Sequence, residues 1–382
     1  MTFNLPDELE MFRRVVRRFV DAEMIPLEAL PRPLGPEIVA NLREKAKRAG
    51  LRLLDVPEAL GGQGLGTLGM SVFWEEISRS VAISARDSSV FAALTGPILL
   101  SLEGEMRDRY LLPVLAGDKT TCFAQTEPDA GSDPGSMRTR AVRDGDDYVI
   151  TGVKRFITDA ESADFAQLIA STDPARGSHG LSCFLVDMHL PGVRVTAQYD
   201  TITSDRPCEI VLDGVRVSAA NRVGKEGDGF GLAQQWITEG RILRHGARSC
   251  GVAERCLELA ASYATQRKTF GVPLAERQAV QFMIADIYAE LQATRALVRQ
   301  AAAAHEAGGD VRLQSWIAKC QGTEMGFRAA DRCMQIHGGM GLTTDLPIER
   351  MWREQRSFII TEGAAEVMRA AIARKVINQY AK

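Results

Sequence analysis

The chain has 382 residues, of which 45% are hydrophobic and 25% charged, the composition of an ordinary globular protein with room for two or three domains. Lys and Arg number 46 against 49 Asp and Glu, a net charge of -3. That balance gives no support for a nucleic-acid partner or for binding to an anionic membrane surface. The longest apolar runs fall short of the ~20 residues a membrane helix needs.

Residues 1–118 read as helical. Pro6 with Asp7 and Glu8 suits a helix start, and Phe12, Val15, Val16, Phe19 and Val20 recur at helical spacing up to Pro26. Arg13, Arg14, Arg17 and Arg18 share one side of that helix and read as a solvated face rather than a docking patch. Acids at Asp7, Glu8 and Glu10 and the absence of an apolar core argue against a signal peptide, so a cytoplasmic location is expected, or a mitochondrial matrix if a presequence has been removed.

Residues 119–225 change period. Tyr148–Thr151, Leu168–Ser171, Ser182–Val186, Val193–Thr196, Glu209–Leu212 and Val215–Val217 are short β-branched runs separated by Gly, Pro and Asp turns, Asp213-Gly214 among them. A small antiparallel barrel or sandwich is the economical expectation. Residues 226–382 return to helix. Val252, Cys256, Ala260 and Tyr263 form one stripe, and Ile284, Ile287, Leu291 and Val298 another, which predicts a helical bundle.

Seven cysteines, an odd number without C-x-x-C spacing, predict buried free thiols. Five isolated histidines without H-E-x-x-H argue against a metal site. Gly227–Gly231 has no βαβ setting and is a poor dinucleotide signal. Glu362 is more informative. It follows the apolar run Phe358, Ile359 and Ile360 and precedes Gly363, so burial could tune it into a base. Upstream, Gly338, Gly339 and Gly341 leave backbone bare for a large cofactor.

Five ordered pieces carry a family resemblance: T-E-P-x-A-G-S-D at 126–133, G-x-K-x-F-I-T at 152–158, R-K-T-F-G-x-P-L at 267–274 with Gln278, Q-x-x-G-G-x-G at 335–341, and E-G ahead of E-V-x-R at 362–369. With the helix–β–helix zoning, the chain resembles the acyl-CoA dehydrogenase family over essentially its whole length. The resemblance implies an α+β fold: an N-terminal helical domain (1–118), a middle antiparallel β-barrel (119–225) and a C-terminal four-helix bundle (226–382). It implies FAD as cofactor and an acyl-CoA substrate oxidised to a trans-2-enoyl-CoA. An electron-transferring flavoprotein would be the acceptor, and the assembly a homo-oligomer, a dimer of dimers.

By the same resemblance Glu362 is the α-proton base. Phe123, Gln125, Thr126, Gly131, Ser132, Phe156 and Thr158 belong to the flavin side of the β domain. Arg267, Thr269, Phe270, Gln278, Gln335, Gly338 and Gly339 hold the ADP part across a subunit interface, and Ala364 and Glu366 flank the flavin. Ser132, Arg241, Arg244 and Gly363 fall to the substrate. An oxidase of the same fold, or a catalytically silent flavin scaffold, is the competing expectation.

The chain also departs from the family pattern. Thr361 stands where an aromatic is common, Ala364 where Thr is common, and Gln125 where an apolar residue is common. Some branches carry the base on the helix near 240, where this chain has Gly240 beside Glu239. Arg241 lies ten residues before Gly251, one more than the family spacing. Either a local bulge keeps Arg241 in its role or Arg244 takes a different one.

Overall fold

The structure, a computed structural model, describes residues 5–31, 33–83, 90–91, 95–203 and 205–381. The first helices are α1 (Asp7–Phe19), α2 (Pro36–Arg48) and α3 (Thr67–Ile77). Asp7, Glu8 and Glu10 occupy the first turn of α1 and Arg17 and Arg18 its last, as the helix dipole favours. Pro26 does not stop the chain from winding on. A π turn, Val20–Met24, leads into a 3-10 turn, Ile25–Ala29, where Pro26 sits in an opening position that needs no N–H donor.

Three short helices follow, α4 (Gly96–Leu100), α5 (Gly104–Met106) and α6 (Leu112–Ala116). Then come β1 (Thr121–Ala124), β2 (Arg140–Asp144), β3 (Asp147–Ile157), β4 (Phe165–Ser171), β5 (Leu181–Asp187), β6 (Val193–Gln198), β7 (Cys208–Ser218) and β8 (Arg222–Val223). The C-terminal region holds α7 (Gly229–Gly240), a π segment Arg241–Ala247, α8 (Arg248–Gln266) and the hairpin β9 (Lys268–Thr269) with β10 (Val272–Pro273). It ends with α9 (Gln278–Glu306), α10 (Arg312–His337), α11 (Ile348–Phe358) and α12 (Ala365–Tyr380).

These elements form two compact units, Met1–Phe91 with Thr238–Lys382, and Ala92–Ile237. The first unit is helical. Its core joins Val16 and Phe19 of α1, Phe73 of α3, Ala253 and Cys256 of α8, Ile287 and Leu291 of α9, and Met325 and Ala329 of α10. The predicted stripes are core: Val252, Cys256, Ala260, Ile287, Leu291 and Val298 are buried.

Contacts between α8 and its lead-in and α10 advance together along both helices. A methyl group on Gly322 would lie 2.9 Å from Gly246, one on Gly326 3.0 Å from Ser249, and Tyr263 stacks on His337 at 4.4 Å. The two helices therefore run parallel and end at the same end of the unit.

The arginine face of α1 is only partly solvated. Arg17 Nε and Arg13 Nη1 donate to the buried Glu76 carboxylate at 2.8 and 3.3 Å, while Arg14 is exposed. A carboxylate that is 1% exposed needs paired cations, and that turns half of the cluster inward.

The second unit is built on a sheet of order β6-β7-β3-β2-β4-β5-β8, with β1 added to β4. Most joints are antiparallel, as expected, but β1 and β2 each meet β4 in parallel. No pairing among the described residues links β6 to β8, so the hydrogen-bonded path is open. Asp213-Gly214 is not a turn between two strands. β7 passes through it unbroken, with Gly214 at φ +64° and a register shift opposite Ile150 and Gly152, a bulge.

All seven cysteines are free and buried. Among the described residues no helix is long and apolar enough to cross a membrane, and no His/Cys/Asp/Glu cluster could hold a metal.

Candidate active site

Glu362 stands in the loop between α11 and α12, with φ +52°, a left-handed conformation uncommon outside glycine; Gly363 follows at +101°. Such backbone persists only when its surroundings hold it. Here three carbonyls of the loop are held from outside. Arg241 Nε donates to Glu362 O at 3.1 Å, and Lys319 Nζ of α10 donates to Ile359 O at 2.8 Å and to Gly363 O at 2.6 Å. Both cationic side chains are buried.

The extra residue before Gly251 is absorbed by the π segment Arg241–Ala247. Arg241, Arg244 and His245 then all face Glu362. Arg241 reaches its backbone, so the bulge keeps Arg241 at the site. Arg244 Nε lies 3.2 Å from Oε1, and His245 Nδ1 3.5 Å from Oε2. Oε2 has no hydrogen-bond partner among the described residues. Gly240 leaves this space open: a methyl group there would lie 2.6 Å from Oε2 and 2.1 Å from an Arg244 nitrogen. A side chain at 240 would require the ends of Arg244 and Glu362 to move.

Burial pushes the Glu362 carboxyl up, but the Arg244 and Arg241 guanidiniums beside it outweigh this and bring it down to about 2. The carboxylate is therefore ionised at neutral pH, and ion pairing sets its resting basicity. Burial pushes His245 down to about 3, so its ring is neutral at pH 7 and the arginines hold the charge. Thr361 Oγ1 lies 3.2 Å from His245 Nε2, and His245 Nδ1 3.4 Å from Gly240 O. A neutral ring with its proton on Nδ1 and the Thr361 hydroxyl donating to Nε2 satisfies both contacts. Thr361, which stands where the family pattern commonly has an aromatic, is therefore the hydroxyl partner of the buried His245.

This histidine makes the protein acid-sensitive. Its folded-state value lies below the ordinary 6.5, so the unfolded chain takes up the proton first as pH falls. The neutral ring imposes no penalty above about pH 6.5, and stability is lost below it; at pH 5 the loss is about 2 kcal/mol. His245→Gln is expected to remove this loss, read as the difference in unfolding free energy between pH 7 and pH 5. An equal loss in the variant would contradict it.

In the sheet unit, two segments of the predicted flavin side come together. Arg155 N donates to Thr126 O at 2.8 Å, and the buried Lys154 Nζ donates to Gln125 O at 3.0 Å and Glu127 Oε1 at 2.8 Å. Glu127 also accepts from Arg138 N and Thr139 N. The Gln125 side-chain Oε1 is buried without a partner among the described residues, an acceptor awaiting a donor. Phe123 lies 5.1 Å from the Trp236 ring. Phe156, at φ +59°, is 56% exposed, and Thr158 is half-buried. Gly131 and Ser132 lie on an exposed turn closed by Glu127 and Ala130.

In the helical unit, Arg267 is exposed where α8 ends. Thr269 and Phe270 belong to the β9–β10 hairpin, which Arg277 Nη2 braces by donating to Thr269 O at 2.6 Å. Phe270 is 97% exposed at φ +51°, and Gln278 opens α9. Gln335, Gly338 and Gly339 are exposed at the end of α10, and neither glycine would meet anything within 4 Å if given a Cβ. The Tyr263–His337 stack brings these two clusters to one end of the unit. Ala364 caps α12 and Glu366 is exposed in its first turn.

Family models of the acyl-CoA dehydrogenase N-terminal, middle and C-terminal domains match residues 6–118, 122–215 and 227–377. The chain belongs to the acyl-CoA dehydrogenase family.

As a member it is an oxidoreductase acting on acyl-CoA. The mitochondrial short-chain specific acyl-CoA dehydrogenase of Homo sapiens is 35% identical over 381 residues, 98% of this chain and 92% of that protein. The caffeyl-CoA reductase-Etf complex subunit CarC of Acetobacterium woodii is 34% identical over 380 residues, 98% of this chain and 99% of that one. The solved structure of butyryl-CoA dehydrogenase from Megasphaera elsdenii matches with a TM-score of 0.87 at 29% identity, covering 99% of this chain and all of that one.

Two residues beside Glu362 in this acyl-CoA dehydrogenase family member carry no clear mark in the sequence, His245 and Lys319. The one-residue surplus ahead of Gly251 was the signal for His245. Lys319 gave none, since a lone lysine in an amphipathic helix reads as surface.

Proposed function

We propose that the protein is an FAD-dependent acyl-CoA dehydrogenase for short acyl chains, with Glu362 as the base. The observation that carries the reading is the Glu362 loop: an acid in left-handed backbone, three loop carbonyls held by Arg241 and Lys319, and one carboxylate oxygen without a partner. The residues present suit FAD. A buried orphan acceptor at Gln125, the rings of Phe123 and Phe156, and the bare Gly338-Gly339 backbone are what a flavin dinucleotide requires. Bound FAD would supply the acceptor for the hydride leaving the β-carbon.

The chain's own residues do the rest. Glu362 Oε2 takes the α-proton, and the backbone N–H of Glu362 donates to the thioester carbonyl, which acidifies that proton. Arg241 and Lys319 fix the loop so that both groups of one residue face the thioester. Gly363 permits the turn into α12, and Ser132 binds on the pantetheine or phosphate side.

The short-chain and butyryl-CoA relatives support the short acyl chain, and CarC, a subunit of a reductase-Etf complex, supports an electron-transferring flavoprotein as redox partner, here read as the acceptor. The same reading carries a division into domains at 1–118, 119–225 and 226–382, a homotetrameric assembly and a cytoplasmic location. Incubation of the flavin-loaded enzyme with butyryl-CoA and an electron acceptor tests it. Formation of trans-2-butenoyl-CoA is expected, and an unchanged thioester would contradict it.

Arg267, exposed at the end of α8, is assigned to the ADP part of FAD beside a partner subunit. Arg267→Ala is expected to lose about 1.5–3 kcal/mol of FAD binding, the strength of a hydrogen bond to a charged group, together with part of the assembly. Unchanged flavin content after gel filtration would count against a shared site.

A further inference from the structure

We propose that Arg244 is a positioning residue that holds Glu362 in a closed ion pair in the resting enzyme, and that an acyl thioester entering over Gly240 displaces its guanidinium toward Glu239 and Asp55. Glu362 is then competent only with acyl-CoA bound. The inference rests on Glu362 being the base.

Three placements carry it. First, Arg244 Nε is 3.2 Å from Glu362 Oε1, with both side chains about a quarter exposed (28% and 27%), so the pair is neither sealed nor freely solvated. Second, the Arg244 guanidinium packs over Gly240, where the absence of a side chain leaves room beside the carboxylate. It therefore lies beside the reacting carboxylate, where the substrate carbons must come. Third, acidic groups lie within reach of its charge. Glu239 precedes Gly240 on α7, and Asp55, which burial raises, is raised further by Glu239 and lowered by Arg244.

A carboxylate locked to an arginine is a weak base, and an alkyl chain beside a guanidinium leaves that cation poorly solvated. Moving Arg244 relieves both problems at once. Every charged group around Glu362 is then assigned. Arg241 and Lys319 hold backbone carbonyls and cannot leave without releasing the loop. His245 is neutral and tied to Thr361. Glu239 and Asp55 receive the arginine. Among the described charged groups around Glu362, Arg244 is the one whose guanidinium hydrogen-bonds the carboxylate itself.

Calorimetric binding of the unreactive thioether S-butyl coenzyme A to the flavin-loaded enzyme at pH 6, in buffers of different ionisation heat, tests the inference without turnover. Proton uptake on binding is expected in the wild type and none in Glu362→Gln. Arg244→Gln is expected to bind the thioether about three- to tenfold more tightly, because no ion pair has to open, and to take up at most half as much proton. Arg244→Lys, which keeps the charge, should restore the uptake.

Absence of uptake in the wild type, or the same uptake and affinity in Arg244→Gln, would overturn the inference. An Arg244→Gln protein that merely loses flavin would overturn it too if Arg244→Lys does the same, since the role would then be structural. Failure of the underlying reading is told apart by Glu362→Gln: if that variant still oxidises butyryl-CoA at the wild-type rate, the base itself is misassigned.

Discussion

Glu362→Gln is expected to retain FAD and fold while slowing flavin reduction by butyryl-CoA about a thousandfold or more, within the range that removal of a positioned general base produces. Glutamine keeps the length of the side chain and an oxygen for Arg244. It also leaves untouched the two backbone anchors, Arg241 on Glu362 O and Lys319 on Ile359 O and Gly363 O, because these grip carbonyls. Only the basic oxygen is lost. Rapid anaerobic mixing followed by flavin absorbance measures it. A variant that reduces at the wild-type rate would move the base elsewhere, and Glu239 on α7 would be the first candidate.

Lys154→Met is expected to destabilise the sheet unit by about 3–5 kcal/mol, the usual result of removing one member of a buried ion pair. Lys154 is fully buried, and its ammonium bridges Gln125 O and the Glu127 carboxylate. Burial pushes the lysine down to about 8, still protonated at pH 7. Burial would raise Glu127, but Lys154 and its other hydrogen-bond donors outweigh that and hold it below its ordinary value. The methionine variant leaves Glu127 charged in a dry site and frees the backbone on which Gln125 and Thr126 stand, so flavin retention should fall with stability. Lys154→Met combined with Glu127→Gln should recover part of the loss, because the uncompensated charge is gone and one oxygen remains to accept from one of the Arg138 and Thr139 N–H groups. Denaturant unfolding of the three proteins checks this. A single variant as stable as the wild type would contradict it.

Much of the architecture was legible because period is a physical signal. Residues that alternate or recur at helical spacing have one face to bury, and the stripes on α8 and α9 are core as the spacing required. What failed was long-range. Arg140–Asp144 shows no apolar alternation and becomes a strand only because β3 pairs along it. The parallel joints of β1 and β2 to β4 depend on which distant strand is nearest. Asp213-Gly214 has the composition of a turn but is a bulge, since both flanking runs find partners on the same strand, β3.

The site divides along the same line. An acid between an apolar run and a glycine marks Glu362 locally. The question of Arg241 or Arg244 was visible as a spacing that did not fit, and the π segment answers it by giving each arginine a different part of Glu362, backbone for one and carboxylate for the other. Lys319 was invisible because its meaning lies in two carbonyls that arrive from 40 and 44 residues away. In the sequence, burial is the force that weighs on Glu362, and the ion pair is not visible there. The force that sets its resting state is another, the arginine opposite.

The most direct test of the account is anaerobic titration of the yellow, flavin-loaded protein with butyryl-CoA. The account predicts that the flavin absorption bleaches and that its return on adding electron-transferring flavoprotein is faster than its return in air. A flavin that stays oxidised with butyryl-CoA and with longer, branched and aromatic acyl-CoAs alike would contradict it.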